Sequence, residues 1–180
     1  MLLFSFFVLS CNSAKKENDK LFSQMQSWEK LLIIDSDALL DSLMTIDKSM
    51  MSDENEAYYY LLTSMAKERS GRSFRDKDEE NMDKSLEWYR THDKEGDNYC
   101  KALLYKGIAI TSNSSKRDTI AYEYILKADS VYQEKHVNDK YTLAKCYEYK
   151  SRILKAQNAY PLAEIYLGKA LKATTDLNDS

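Results

Sequence analysis

The strongest constraint on this chain is an internal repeat across residues 99–175. Tyr105-Lys106-Gly107-Ile108-Ala109-Ile110 reappears as Tyr149-Lys150-Ser151-Arg152-Ile153-Leu154, 44 residues later. His92 and His136, each just upstream of its copy, are also 44 apart. Ala121, Ile125 and Ala128 answer to Ala163, Leu167 and Ala170 at a separation of 42, the intervening loop being shorter. Helical units of this length bury their apolar faces by stacking on their neighbours. The expected fold is all-α, a stack of antiparallel helix hairpins with about eight helices in all.

Composition removes the main alternatives. One proline and four glycines leave too few turns for an all-β chain, which breaks every ten residues or so. Charged residues make up 31% of the chain, yet the net charge is −3 and the two signs are interspersed. No basic stripe of the kind that grips nucleic acid stands out. Fourteen tyrosines against five phenylalanines suggest rings packed along one edge and wet at the other.

The periodicity predicts the helices in order. Leu21, Phe22, Met25, Trp28, Leu31 and Leu32 recur at helical spacing. Asp35-Ser36-Asp37 supplies acceptors for the free N–H groups that start a second helix, with Leu39, Leu43, Ile46 and Met50. Asp53 and Glu56 form a capping-box pattern for a third, holding Tyr58, Leu61, Leu62, Met65 and Ala66 and stopping at Ser70-Gly71. Residues 71–78 read as a charged loop whose one apolar residue is Phe74. A fourth helix covers 81–90, Glu95-Gly96-Asp97 breaks the chain, and a fifth covers 98–110. Residues 112–115 are loop, Asp118 caps a sixth helix, Asn138-Asp139 breaks before a seventh, and Pro161 opens an eighth. Gly107 and Ser151 are small at matching points of the fifth and seventh. Ala121/Ala128 and Ala163/Ala170 are small in the sixth and eighth, so facing helices approach closely there.

Residues 1–10 are apolar and end at Cys11. Such a run is too short to cross a bilayer, which takes about 20 helical residues. It matches the apolar core of a secretory signal. Ser10 directly before Cys11 resembles a bacterial lipobox, in which the cysteine is acylated and becomes the mature N-terminus. No Lys or Arg precedes the run, and Leu9 stands where a small residue is commoner. An ordinary cleaved signal or an apolar tail is the other reading. Residues 11–20 read as a polar tether that leads into a repeat domain over 21–180.

The chemistry of catalysis is not written here: there is no glycine-rich phosphate loop, HExxH, CxxC or GxSxG. The expectation is a non-enzyme without cofactor or metal. The two histidines follow helices, where a cation complements the C-terminal dipole. Cys100 and Cys146 lie on the first helices of adjacent units, either as buried small hydrophobes or as a disulfide.

The small and large positions resemble the tetratricopeptide repeat. Gly107 or Ser151 matches its small residue in the first helix, and Ala121 or Ala163 the alanine opening the second. Ile125 or Leu167 matches the large residue that follows, and Ala128 or Ala170 the later alanine. Tyr147 and Leu103 stand at the first aromatic position. Lys106 and Lys150 depart from the pattern, which has leucine there, and the period exceeds the usual 34 residues. In an earlier unit Ser85 matches Ala128, while Asp78 falls where alanine is wanted. The whole chain is also similar to envelope lipoproteins of Gram-negative anaerobes that carry such repeats. The segments carrying that likeness are Asp35-Ser36-Asp37-Ala38-Leu39-Leu40-Asp41 and Ala57-Tyr58-Tyr59-Tyr60-Leu61-Leu62.

The resemblance implies a right-handed solenoid whose first helices line a groove for a protein or peptide segment. Counting from Gly107 and Ser151, that groove would be lined by Lys101, Leu104, Ile108, Thr111, Lys145, Glu148, Arg152 and Lys155. Four of the eight are basic, which suits an acidic segment or a C-terminal carboxylate. The implied function is a scaffold anchored in the cell envelope through Cys11, with an unknown protein partner and no nucleic acid. The alternative is the sensor half of a longer membrane-spanning regulator. Asn178-Asp179-Ser180 repeats the Asn-Asp that precedes a new helix, so the repeat pattern leads us to expect a truncated array.

Overall fold

The structure, a computed structural model, describes residues 4–94, 96–113, 118–135 and 139–178. Expectations placed on Glu95, residues 114–115, His136, Asn138 and residues 179–180 lie outside the described residues. Every regular element among them is helical, and no strand occurs. The chain is all-α, with helices packed in adjacent pairs. Its contacts group it into two compact units, Met1–Arg72 and Ser73–Ser180. No described helix is long and apolar enough to cross a membrane.

The first unit contains α1 (Phe4–Glu29), α2 (Leu31–Ile34), α3 (Ser36–Met44), a 3-10 turn (Lys48–Met50) and α4 (Asp53–Arg69). Residues 12–20, expected to be an irregular tether, are part of α1. The physical reason lies partly in composition, since Ala14, Lys15, Lys16, Glu17 and Lys20 are tolerant helix formers. It lies also in a distant contact: the Ser52 N–H donates to Asn18 Oδ1 at 2.7 Å, and Asn55 Nδ2 donates to the Asn18 carbonyl at 2.9 Å. Those bonds dock α1 on the start of α4.

The cap of α3 forms as its sequence implies, with the Ala38 N–H donating to Asp35 Oδ1 at 2.9 Å. The cap of α4 is Ser52 rather than Asp53, its Oγ accepting from the Asn55 N–H. Helix α4 is largely buried between Asn55 and Ala66, with Tyr58, Tyr59 and Tyr60 all inside. Tyr58 packs against the Phe22 ring and donates its hydroxyl proton to Glu29. At its end Gly71 adopts φ +67°, while the N–H groups of Gly71 and Arg72 return to the carbonyls of Glu68 and Lys67. This is the paired bonding of a left-handed glycine stop.

The second unit holds α5 (Asp76–His92), α6 (Asp97–Asn113), α7 (Asp118–Lys135), α8 (Lys140–Ala156) and α9 (Tyr160–Asn178). Each packs on the next, and α6 also touches α8. Helix α5 starts earlier than its apolar pattern suggests. The Arg75 N–H donates to Asp78 Oδ2 at 2.8 Å, so the residue that breaks the repeat's alanine pattern is the one that secures the helix start. Buried Asp78, Met82, Ser85 and Tyr89 then line its inner face.

The small residues sit where helices cross. A Cβ added at Gly107 would meet Ile125 Cγ1 at 2.7 Å and the Ala121 carbonyl oxygen at 3.0 Å, so α6 and α7 touch at a point only glycine fits. At the matching crossing of α8 and α9, Ser151 Oγ donates to the Ala163 carbonyl at 2.8 Å. The α8–α9 connection is tight because Asn158 takes φ +62° while the N–H groups of Asn158 and Ala159 return to Lys155 and Leu154. Pro161 lies in the first turn of α9.

Candidate functional site

Helix α8 brings four of the expected groove residues into one strip. Lys145, Glu148, Arg152 and Lys155 follow one another at helical spacing, so they share a face. Lys145 Nζ donates to Glu148 Oε2 at 2.9 Å and lies over the Tyr141 ring. Arg152 reaches the other Glu148 oxygen only at 3.8 Å, and its guanidinium carbon is 4.8 Å from the Tyr149 ring centroid. Lys145 therefore has its charge answered at close range. Arg152, with its side chain 61% exposed, and exposed Lys155 present their charge to solvent one turn apart.

The four positions on α6 do not form the other half of a groove. Leu104 and Ile108 have no exposed surface, and α6 is buried continuously from Ala102 to Ile110. The expectation assumed one open face on that helix, whereas α6 lies among α5, α7 and α8 and its apolar side chains are core. Thr111 turns its hydroxyl back to the Gly107 carbonyl at 3.0 Å. Lys101 lies 3.3 Å from Asp139 Oδ2, largely covered.

Asp139 joins the first helices of the two repeats. Its Oδ1 accepts from the Thr142 N–H at 3.1 Å and caps α8, while Oδ2 accepts from the Thr142 hydroxyl and faces Lys101 of α6. Burial alone would raise this carboxyl. The Lys101 charge and the Thr142 hydrogen bonds outweigh burial and hold it below the ordinary carboxylate range.

The lysines that break the repeat pattern prove to be buried and ion-paired. Lys106 Nζ reaches Asp83 Oδ1 at 2.6 Å, Glu79 Oε1 at 3.3 Å and the Glu79 carbonyl at 3.1 Å. Lys150 pairs with Asp129 and lies near the rings of Tyr147 and Tyr166. Each lysine stands on a first helix and reaches back to an acid on the second helix before it. A lysine at a core position needs such an acid, and that requirement was the sequence signal for these pairs.

Cys100 and Cys146 are free thiols, both buried. Cys100 Sγ donates to the Ala128 carbonyl at 3.2 Å, and burial pushes its pKa up to about 12. Burial likewise raises Cys146. Thiols held protonated in this way are poor nucleophiles. No group of three or more His, Cys, Asp or Glu residues is placed to hold a metal among the described residues. His92 stacks on Trp88 at 4.7 Å in the last turn of α5, with Nδ1 3.0 Å from the Trp88 carbonyl. Cys11 falls within the helical span of α1, and its side chain lies outside the described residues.

Comparison with family models, curated proteins and solved structures found no match to the chain.

Proposed function

We propose that this chain is a non-enzymatic interaction module that holds an acidic segment of a protein partner along α8, anchored to the cell envelope by a lipid on Cys11. The observation that carries the reading is the pair Arg152 and Lys155, both exposed and one turn apart, with the guanidinium laid over the Tyr149 ring. An arginine braced on an aromatic ring loses less freedom when it meets a carboxylate, and its planar fork suits two-point recognition. The internal repeat and its small crossing residues support a tetratricopeptide-like scaffold for that surface. The binding face is narrower than the eight-residue groove, because Leu104 and Ile108 belong to the core.

The test is charge reversal. Arg152→Glu with Lys155→Glu should cut recovery of a partner from envelope extract by about tenfold, the equivalent of losing two partly exposed ion pairs. Lys127→Glu, on an exposed position of α7, serves as the control. Recovery unchanged by the double variant would remove α8 as the binding face. Metabolic labelling with a fatty acid tests the anchor separately: label should be lost in Cys11→Ala, and equal labelling of both proteins would rule the anchor out.

A further inference from the structure

Helix α9 buries only one narrow side. Ala163, Ala170 and Ala173 are covered and Tyr166 is half-covered, while Tyr160, Leu162, Ile165, Leu167 and Leu171 are all more than 40% exposed. At 3.6 residues per turn, Gly168 lies opposite the buried side, at the centre of the open face. A Cβ built there meets nothing within 4 Å.

Four residues flanking Gly168 on this face are placed symmetrically about it, with opposite charges at the two ends. Glu164 and Ile165 stand four and three positions before it, and Leu171 and Lys172 stand three and four after. Lys169 does not share this face, being drawn over the rings of Tyr147 and Tyr166 at 5.6 and 5.1 Å. An order of acid, aliphatic, glycine, aliphatic, base is self-complementary when two copies meet antiparallel. A two-fold axis at Gly168 sets Glu164 of one copy against Lys172 of the other, and Ile165 against Leu171, each contact made twice. The glycine allows the backbones to approach, as Gly107 does beneath Ile125 within the chain.

We infer that the open face of α9 is a homodimer interface, with two copies crossing antiparallel at Gly168. The occupant is a second copy because the charges are placed for one: each end of the face carries the partner for its opposite end. A single helix pair buries less than the roughly 1,200–2,000 Å² of a standard interface, so dissociation belongs on the order of micromolar. Dimerisation through this face is independent of the charge at Arg152 and Lys155.

The experiment is sedimentation equilibrium of the full chain over a concentration series in non-ionic detergent, with circular dichroism as a check on the fold. The chain should dimerise, and Leu171→Asp, at a position already 62% exposed, should leave it monomeric with unchanged helicity. Glu164→Lys and Lys172→Glu should each weaken the homodimer by about tenfold, since each sets like charges opposite one another twice. Mixed in equal amounts, these two variants should recover wild-type affinity as a heterodimer, and the double swap should recover it alone. A monomeric chain throughout the series, a dimer indifferent to Leu171→Asp, or a mixture no tighter than its components would each overturn the proposal. A monomer would assign the face to another helix, from a further repeat of a longer chain or from a different protein.

Discussion

The hairpins α6–α7 and α8–α9 carry the same pattern of small and large residues, yet they are buried very differently. Ile125 in α7 has no exposed surface, whereas Leu167, its counterpart in α9, is 48% exposed. Both hairpins close on a small residue, Gly107 against Ala121 and Ser151 against Ala163. Ile125 seats on Gly107, where an added Cβ would meet it at 2.7 Å, and α7 is also flanked by α8, while α9 packs chiefly on α8. A repeat therefore specifies how a hairpin closes, and burial of its large residues depends on the neighbour.

The buried ion pairs should separate the two repeats most strongly. Asp129→Ala leaves Lys150 buried without its carboxylate and should cost about 3 kcal/mol. Asp83→Ala leaves Lys106 still beside Glu79 and removes a side chain that is 59% exposed, so about 1 kcal/mol is expected. Chemical denaturation midpoints of the two variants test the difference, and equal losses would mean the pairs are equivalent.

Truncating the counterpart aliphatics comes next. Ile125→Ala should cost about 3 kcal/mol through lost burial and a residual cavity, and Leu167→Ala about 1 kcal/mol when measured on the monomer. The glycines should give effects of opposite sign. Gly107→Ala forces Ile125 and the Ala121 carbonyl to move and should destabilise by about 2 kcal/mol. Gly168→Ala adds a methyl to open space within a helix and should stabilise the monomer by about 1 kcal/mol, while weakening the proposed dimer. Thermal melting at low and high protein concentration reads both effects.

A small effect that varies with pH concerns the link between the first helices. Asp139→Asn keeps a capping side chain and removes the charge facing Lys101, at a cost of about 1 kcal/mol near neutral pH. Because the folded carboxyl titrates below its unfolded value, its contribution is complete above the usual carboxylate range and fades as pH falls through the folded value. Wild type and variant should therefore converge in acid. A gap that stays constant with pH would assign the loss to geometry rather than charge.

Local signals made most of the helices legible. Asp35 as a cap, Gly71 as a left-handed stop and Pro161 in a first turn each act through the backbone within a few residues. The crossings at Gly107 and Ser151 were legible because the repeat states them twice. Contacts over longer distances were not. The helical state of residues 12–20 involves Asn18 meeting Ser52 and Asn55, which no window of sequence displays. Counting from Gly107 placed Leu104 and Ile108 on an open face, since spacing gives the side of a helix but not what lies against it. Lys106 and Lys150 were visible as misfits, and their acids lie about 20 or more residues earlier on another helix.

The sequential packing of α5 to α9 has a consequence for time. Because each helix meets chiefly the one next to it in the chain, the loops that close during folding are short, and such topologies form quickly for their size. Opening can likewise start at one edge without dismantling the rest. In the monomer, amide exchange should thus be faster in α9, whose outer face is open, than in α6, which is enclosed by three helices. The array would breathe from one side, with its stillest point at the helix where a binding groove had been expected.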